Sequence, residues 1–342
     1  MNVVPEKLTA KDFATDQEVR WCPGCGDYAI VNAVRKTLAQ IGTDPSDVAF
    51  VSGIGCAARF PYYIDSYGFH TVHGRAPAVA TGLKLANPEL DVWVVGGDGD
   101  FLSIGGNHLF HALRRNIDLN LLLLNNAIYG LTKGQYSPTS PPGTRSPSTP
   151  AGSVDRPANA VLFALGAGAR FIARSADTLP NHLPEVLTRA HAHKGASLVE
   201  ILQNCIVYND GVWGGMADKT TTQELSIRVV HGEPMVFGKE SDKGLVIDFE
   251  SGNVSIIHEA DGPVAERATV YNETSWVMAN AVARMEGEDM PTAIGVIYCD
   301  PVEDYITSLR KKIPFKVMNK DDLKDLLYAG GTWTRDEQSD PE

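Results

Sequence analysis

Three uninterrupted apolar runs constrain this chain most: Val48 to Ser52 (VAFVS), Val92 to Val95 (VWVV) and Leu119 to Leu124 (LNLLLL). A strand with one face in water alternates apolar and polar side chains; a strand covered on both faces has no such need. Each run therefore reads as an inner strand. Each is followed by Gly or Asn, residue types that let the chain turn at a strand's carboxyl end. Helical spacing intervenes at Tyr28 to Ile41, Ala76 to Leu85 and Gly105 to Arg115, and a further helix and strand are predicted at Pro180 to Ala192 and Ser197 to Leu202. This alternation predicts an α/β fold doubly wound on a mostly parallel sheet, with ligands beyond the carboxyl ends of the strands.

Beyond about Asp210 the alternation weakens. Leu245 to His258 reads as a hairpin turning at Ser251-Gly252-Asn253, and Trp276 to Met285 as a helix, so this part is expected to be an extension that wraps the core or meets a partner. Ser137 to Pro157 (SPTSPPGTRSPSTPAGSVDRP) is too rich in Pro, Ser, Thr and Gly for regular structure and predicts a long surface loop. A loop of that length within a compact domain is often functional.

The net charge of -12 opposes a nucleic-acid partner, since neutralising phosphates takes clustered Lys and Arg and the longest basic run is Arg310 to Lys312. No stretch approaches the ~20 apolar residues of a membrane span, and the start MNVVPEKLTAKDF lacks a secretory layout. A cytoplasmic protein with no membrane partner is the expectation. Five cysteines, an odd count, make a disulfide scaffold a poor reading and raise the question of a metal or redox site.

Gly97-Asp98-Gly99-Asp100 follows the second apolar run, and Asn125-Asn126 follows the third, with one helix between. Neighbouring strand ends would bring Asp98 and Asn126 together as two oxygen ligands, which with a backbone carbonyl just beyond leave room for phosphate oxygens around Mg²⁺. The glycines let the backbone approach a diphosphate. Gly-Asp-Gly alone is an ordinary turn, but with the strand and Asn-Asn at this distance it resembles the thiamine-diphosphate motif, implying Mg²⁺ ligation by Asp98, Asn126 and the Ile128 carbonyl. No Gly-x-Gly-x-x-Gly opens a helix after the first strand, which sets a dinucleotide site aside.

Cys22 and Cys25 form a Cys-x-x-Cys, while Cys56 and Cys205 each follow a predicted strand, so all four can converge at the same sheet edge. Four thiolates suit either a [4Fe–4S] cluster or structural zinc. Beside thiamine diphosphate the cluster is the stronger reading, because zinc cannot accept electrons. Cys299, on an apolar run, reads as a buried core thiol.

Cys-Pro-Gly-Cys-Gly at 22 to 26, Gly-Ile-Gly-Cys at 53 to 56, His-Gly-Arg at 73 to 75, Gly-Asp-Gly-Asp at 97 to 100 and Asn-Asn-x-x-Tyr-Gly-Leu-Thr-Lys-Gly-Gln at 125 to 135 together resemble the β subunits of 2-oxoacid:ferredoxin oxidoreductases, particularly the 2-oxoglutarate type. The resemblance covers roughly residues 20 to 215. It implies a first domain, 1 to 215 (core about 20 to 210), binding thiamine diphosphate, Mg²⁺ and a [4Fe–4S] cluster, followed by an extension, 216 to 342. Cys22, Cys25, Cys56 and Cys205 would hold the cluster. Ile54, Gly55, Cys56, Ala57, His73, Gly74 and Arg75 would line the cofactor, as would Gly97, Gly99, Asp100, Gly130 and Leu131.

His73 and Arg59 are the candidates for catalytic contact; a guanidinium three residues after Cys56 can bind a substrate carboxylate bidentately. Lys133 and Gln135 are further candidates to face the pocket. The implied reaction is oxidative decarboxylation of a 2-oxoacid with coenzyme A, electrons leaving through the cluster to ferredoxin. The chain past residue 215 lacks the alternating units of a pyrimidine-binding domain, so activity is expected only with an α or fused γα partner, as a dimer of heterodimers. Two alternatives stay open: a non-oxidative thiamine-diphosphate decarboxylase subunit, which would not need the cysteines, and a zinc-stabilised, non-catalytic interaction subunit.

Overall fold

The computed structural model describes residues 8–217, 221–285, 289–313 and 319–333. Most of the opening segment inspected for a secretory layout lies outside them. Eleven strands occur among the described residues: β1 (Val48–Ser52), β2 (Tyr67–His70), β3 (Asp91–Gly97), β4 (Leu119–Asn125), β5 (Phe171–Ala176), β6 (Ala196–Leu202), β7 (Ser226–Val229), β8 (Val236–Phe237), β9 (Lys243–Ile247), β10 (Val254–His258) and β11 (Thr292–Cys299). Eight build one sheet in the order β2-β1-β3-β4-β6-β5-β11-β7, and β10-β9-β8 form a small second one. Neighbours in the large sheet run parallel except β5 and β11. The fold is α/β, doubly wound and mostly parallel, as the apolar runs predict.

Every residue of β1, β4 and β6 is buried, because both faces of the sheet are covered. Successive side chains enter opposite layers. Val92 and Val94 pack with Ala80, Leu109 and Leu113, whereas Trp93 and Val95 pack with Ile30, Val34 and Leu187. The helix Asp27–Ile41 closes at Gly42, whose φ of 73° lets its N–H turn back to the Leu38 carbonyl.

Four strands depart from the sequence expectation. β2 (YGFH) lies at the sheet edge with all four residues exposed, so no burial shapes its composition. β5 carries Arg174 in its centre, buried and tolerated there because its Nε donates to Glu200 of β6 at 2.7 Å. β7 and β11 lie beyond residue 215 yet extend the main sheet. The expected boundary near 215 is therefore not where the chain divides; the compact unit runs Met1–Ile306 and a second comprises Thr307–Glu342. In the second, the helix Lys320–Tyr328 starts at a capping box, Asn319 accepting from the Asp322 N–H and Asp322 from the Asn319 N–H. The hairpin expected at 245–258 forms as β9 and β10. No helix among the described residues is long and apolar enough to cross a membrane.

The layer over β5 contains a pH-sensitive contact. His182 is buried, its Nδ1 2.8 Å from the Ser175 hydroxyl and its Nε2 without a partner. Burial, reinforced by the Arg228 charge, lowers its pKa from 6.5 to about 4. The unfolded chain thus binds a proton the folded chain refuses, so the stabilisation is complete above about pH 6.5 and is lost as pH falls toward 4, on the order of 3 kcal/mol. Thermal unfolding followed between pH 7.5 and 4.5 should show this loss, and His182→Gln should flatten it; an equally steep profile in the variant would exclude His182 as the source.

Candidate active site

Because β1, β3, β4 and β6 are parallel neighbours, the segments leaving their carboxyl ends meet at one edge. Asp98 leaves β3, Asn126 leaves β4, Cys56 lies in the turn after β1, and Cys205 follows β6. Asp98, Asn126 and Ile128 share the wall of a cavity of about 240 Å³ with Ile54, Gly55, Cys56 and Ala57. His73, Gly97, Gly99, Asp100, Gly130 and Leu131 complete the expected part of that wall.

Asp98 is 2% exposed. Its Oδ2 accepts from the Thr139 hydroxyl at 2.6 Å and from the Ser137 hydroxyl. Burial raises its pKa to about 6, with those two hydroxyls opposing the shift. A carboxylate so placed is short of positive charge, and with the Asn126 amide oxygen it forms an all-oxygen donor set suited to a hard cation. The residues present therefore fit a Mg²⁺ diphosphate. Close approach of the backbone is built in, since a Cβ at Gly99 would lie 2.1 Å from the Tyr129 ring, whose hydroxyl donates to the Gly99 carbonyl at 3.2 Å. The Gly99–Ile104 segment is a widened π-type turn, a feature common at functional sites.

The loop at 137–157 is not simply a surface loop, as its composition suggested. Ser137, Thr139, Ser140, Ser146 and Ser153 are buried. The one hydrogen of the Thr139 hydroxyl is shared between Asp98 Oδ2 and Asn125 Oδ1, 2.8 Å away, Asn125 Nδ2 donates to Glu200 at 2.8 Å, and Ser140 donates to the Ala127 carbonyl at 2.5 Å. The hydroxyls of Ser137, Thr139 and Ser140 are spent inward. Ala127, with φ 53°, takes the left-handed turn between Asn126 and Ile128.

Two expected cofactor contacts fall elsewhere. The Gly74 N–H donates to Asp100 Oδ1 at 2.8 Å, and the Arg75 guanidinium donates to the Ile104 carbonyl at 3.1 Å; neither residue lines the cavity. Asp100 gathers the loops, accepting also from the Ile54 N–H at 3.1 Å, with His73 Nδ1 at 2.6 Å. Lys133 and Gln135 are likewise off this wall; Gln135 Nε2 donates to the Thr132 carbonyl. Arg59 lines a separate, open cavity of about 400 Å³ that shares Ile54, Gly55 and Leu131 with the first.

Cys22, Cys25, Cys56 and Cys205 line a third cavity, of about 190 Å³, that shares Cys56, Asn126, Gly130, Leu131 and Gln203 with the first. A Cβ at Gly130 would lie 3.4 Å from Cys205 Sγ and 3.8 Å from Cys56 Sγ, so both sulfurs flank this glycine. Burial pushes the Cys56 thiol up to about 12 and raises that of Cys25 further, with the Asp27 charge adding to both. Binding iron as thiolates would therefore release protons. Among the described residues, no three His, Cys, Asp or Glu side chains are gathered as a single metal ion would gather them. Cys299 is a buried core thiol, packed in the layer with Trp93 and Leu187.

Sequence reasoning missed Asp27 and Gln203, which line the cofactor cavity, and the Ser137 and Thr139 clamp. Asp27 stands two residues after the Cys-x-x-Cys and Gln203 two before Cys205, so proximity to the cysteines was the available signal.

Residues 53–201 match the family model "Thiamine pyrophosphate enzyme, C-terminal TPP binding domain". The 2-oxoglutarate oxidoreductase subunit KorB of Mycobacterium tuberculosis is 47% identical over 97% of this chain and 89% of that protein. The chain belongs to the 2-oxoacid:ferredoxin oxidoreductase β subunits. Subunit beta of 2-oxoacid:ferredoxin oxidoreductase 2 of Aeropyrum pernix is 46% identical over 58% of this chain and 64% of its own length. The solved 2-oxoglutarate:ferredoxin oxidoreductase of Magnetococcus marinus, with 2-oxoglutarate, coenzyme A and succinyl-CoA bound, superposes with a TM-score of 0.74 at 31% identity over 94% of this chain and 97% of that one.

In this β subunit the thiamine-diphosphate domain spans Cys56, Asp98 and Asn126, whereas Cys22, Cys25 and Cys205 lie outside the matched segment. The thiol cavity is thus assembled partly from residues that flank the cofactor domain. Thr139→Val removes a hydroxyl from Asp98 while keeping the shape. It should weaken Mg²⁺–thiamine diphosphate binding roughly 10- to 100-fold, as loss of an outer-shell partner does. Calorimetry on the variant should show this and Thr139→Ser should restore it; unchanged affinity would remove the clamp from the site.

Proposed function

We propose that this chain is the cofactor-bearing half of a 2-oxoglutarate:ferredoxin oxidoreductase, converting 2-oxoglutarate and coenzyme A to succinyl-CoA and CO₂. The observation that carries this reading is the common wall of the two cavities: Cys56 and Gln203 border both the space beside Asp98 and the space lined by four cysteines. When bound, thiamine diphosphate supplies the carbon nucleophile and electron sink for cleaving the bond to CO₂. Asp98, Asn126 and the Ile128 carbonyl would hold its Mg²⁺. Cys22, Cys25, Cys56 and Cys205 would hold a [4Fe–4S] cluster that passes electrons on to ferredoxin.

His73 borders the cofactor cavity with its Nδ1 held by Asp100 at 2.6 Å, which makes it the candidate for a substrate contact there. Arg59, on the adjoining open cavity with Arg20 and His70, offers a guanidinium to the distal carboxylate of 2-oxoglutarate. An α or fused γα subunit would complete the site, in a dimer of heterodimers.

Co-purified with that partner, the protein should reduce viologen with 2-oxoglutarate plus coenzyme A and contain about four irons per β chain. Stoichiometric zinc without iron would defeat the redox reading. Arg59→Ala should raise KM for 2-oxoglutarate by roughly tenfold or more while sparing pyruvate; equal effects on both would remove the assignment.

A further inference from the structure

Gln203 stands between the two cavities, 1% exposed and lining both. Its amide orientation is settled by chemistry. Nε2 lies 2.6 Å from the backbone carbonyl oxygen of Asn204, which can accept but not donate, so the nitrogen must be on that side. The same nitrogen lies 3.4 Å from Cys25 Sγ, leaving its second N–H for the sulfur. The cost of this arrangement is visible at the other end, where Oε1 is buried without a hydrogen-bond partner. The main chain on either side is pinned. The Gln203 N–H donates to the Asn125 carbonyl at 2.9 Å, the Gln203 carbonyl accepts from Trp213 Nε1 at 3.2 Å, and the Asn204 N–H donates to Asp177 at 2.8 Å. The side chain is therefore delivered to Cys25 by a rigid strand end rather than by a mobile loop.

We propose that Gln203 sets the reduction potential of the cluster by donating an N–H···S hydrogen bond to Cys25. The inference rests on the [4Fe–4S] reading given above. Adding an electron to the cluster increases negative charge on its cysteine sulfurs, so an N–H donor stabilises the reduced form more than the oxidised form and raises the potential. Gln203 reaches Cys25 from the wall that the thiol cavity shares with the thiamine cavity, the side from which the electrons would come.

The test is an EPR-monitored redox titration of the purified complex carrying Gln203→Met or Gln203→Glu, beside the unaltered enzyme. Met keeps the length and removes the donor; Glu keeps the shape, removes the donor and adds an acid. Both should retain about four irons and titrate at a more negative potential. The expected shift for Met is about the 59 mV that corresponds to a tenfold change in the oxidised-to-reduced ratio for one electron, and Glu should shift further. Four irons at an unchanged potential in both variants would overturn the inference while leaving the cluster reading intact. Loss of iron from both variants would make Gln203 a structural residue and overturn it equally. An unaltered enzyme without iron would instead sink the cluster reading itself.

Discussion

Hydroxyl groups, rather than a Lys or Arg, hold the buried carboxylate of Asp98, and the organisation of the site depends on that choice. A cationic side chain there would neutralise the charge from within. Two hydroxyls instead fix its direction and leave its charge unneutralised. The clamp is anchored deep in the sheet. Thr139 bonds both Asp98 and Asn125, Asn125 bonds Glu200, and Glu200 is paired with Arg174, so the network crosses β4, β6 and β5 in turn. Breaking one partner of so buried a pair costs about 3–5 kcal/mol, which makes the ladder behind the site stiff.

The same parallel arrangement explains why thiols and cofactor cavity are adjacent. Parallel strands deliver all their carboxyl ends to one edge, so a turn after β1, a turn after β3 and a turn after β6 cannot avoid one another. Cys56, Asn126, Gly130, Leu131 and Gln203 line both cavities. Trp21, whose indole N–H donates to the Cys56 carbonyl at 2.8 Å, ties the Cys22–Cys25 segment to that turn and fits it over the edge. The thiamine-diphosphate domain thereby gains a cysteine-lined cavity built from residues on either side of it in sequence.

Much of this was legible beforehand because it is local. The runs VAFVS, VWVV and LNLLLL became β1, β3 and β4, since burial on both faces writes itself directly into composition. Where burial does not act, or acts through pairing, composition is silent: β2 is an exposed edge, and β5 hides Arg174 behind an ion pair contributed from β6. The segment at 137–157 is the exposed loop its composition suggested over most of its length, but Ser137, Thr139 and Ser140 turn inward to Asp98, Asn125 and a backbone carbonyl. Gly74 and Arg75 followed a motif yet brace the loops instead of touching the cavity.

By itself the sequence determined the class of fold, the positions of the inner strands, and the side chains with the chemistry for a divalent cation and for sulfur ligation. These follow from residue type and short-range periodicity, which neighbours along the chain suffice to express. Only the tertiary structure decided that β7 and β11 extend the main sheet, that a Ser/Thr-rich loop clamps Asp98, and that Gln203 stands between the two cavities. Those facts depend on strand order and on partners tens of residues apart, and no local pattern records which distant donor will meet a given acceptor.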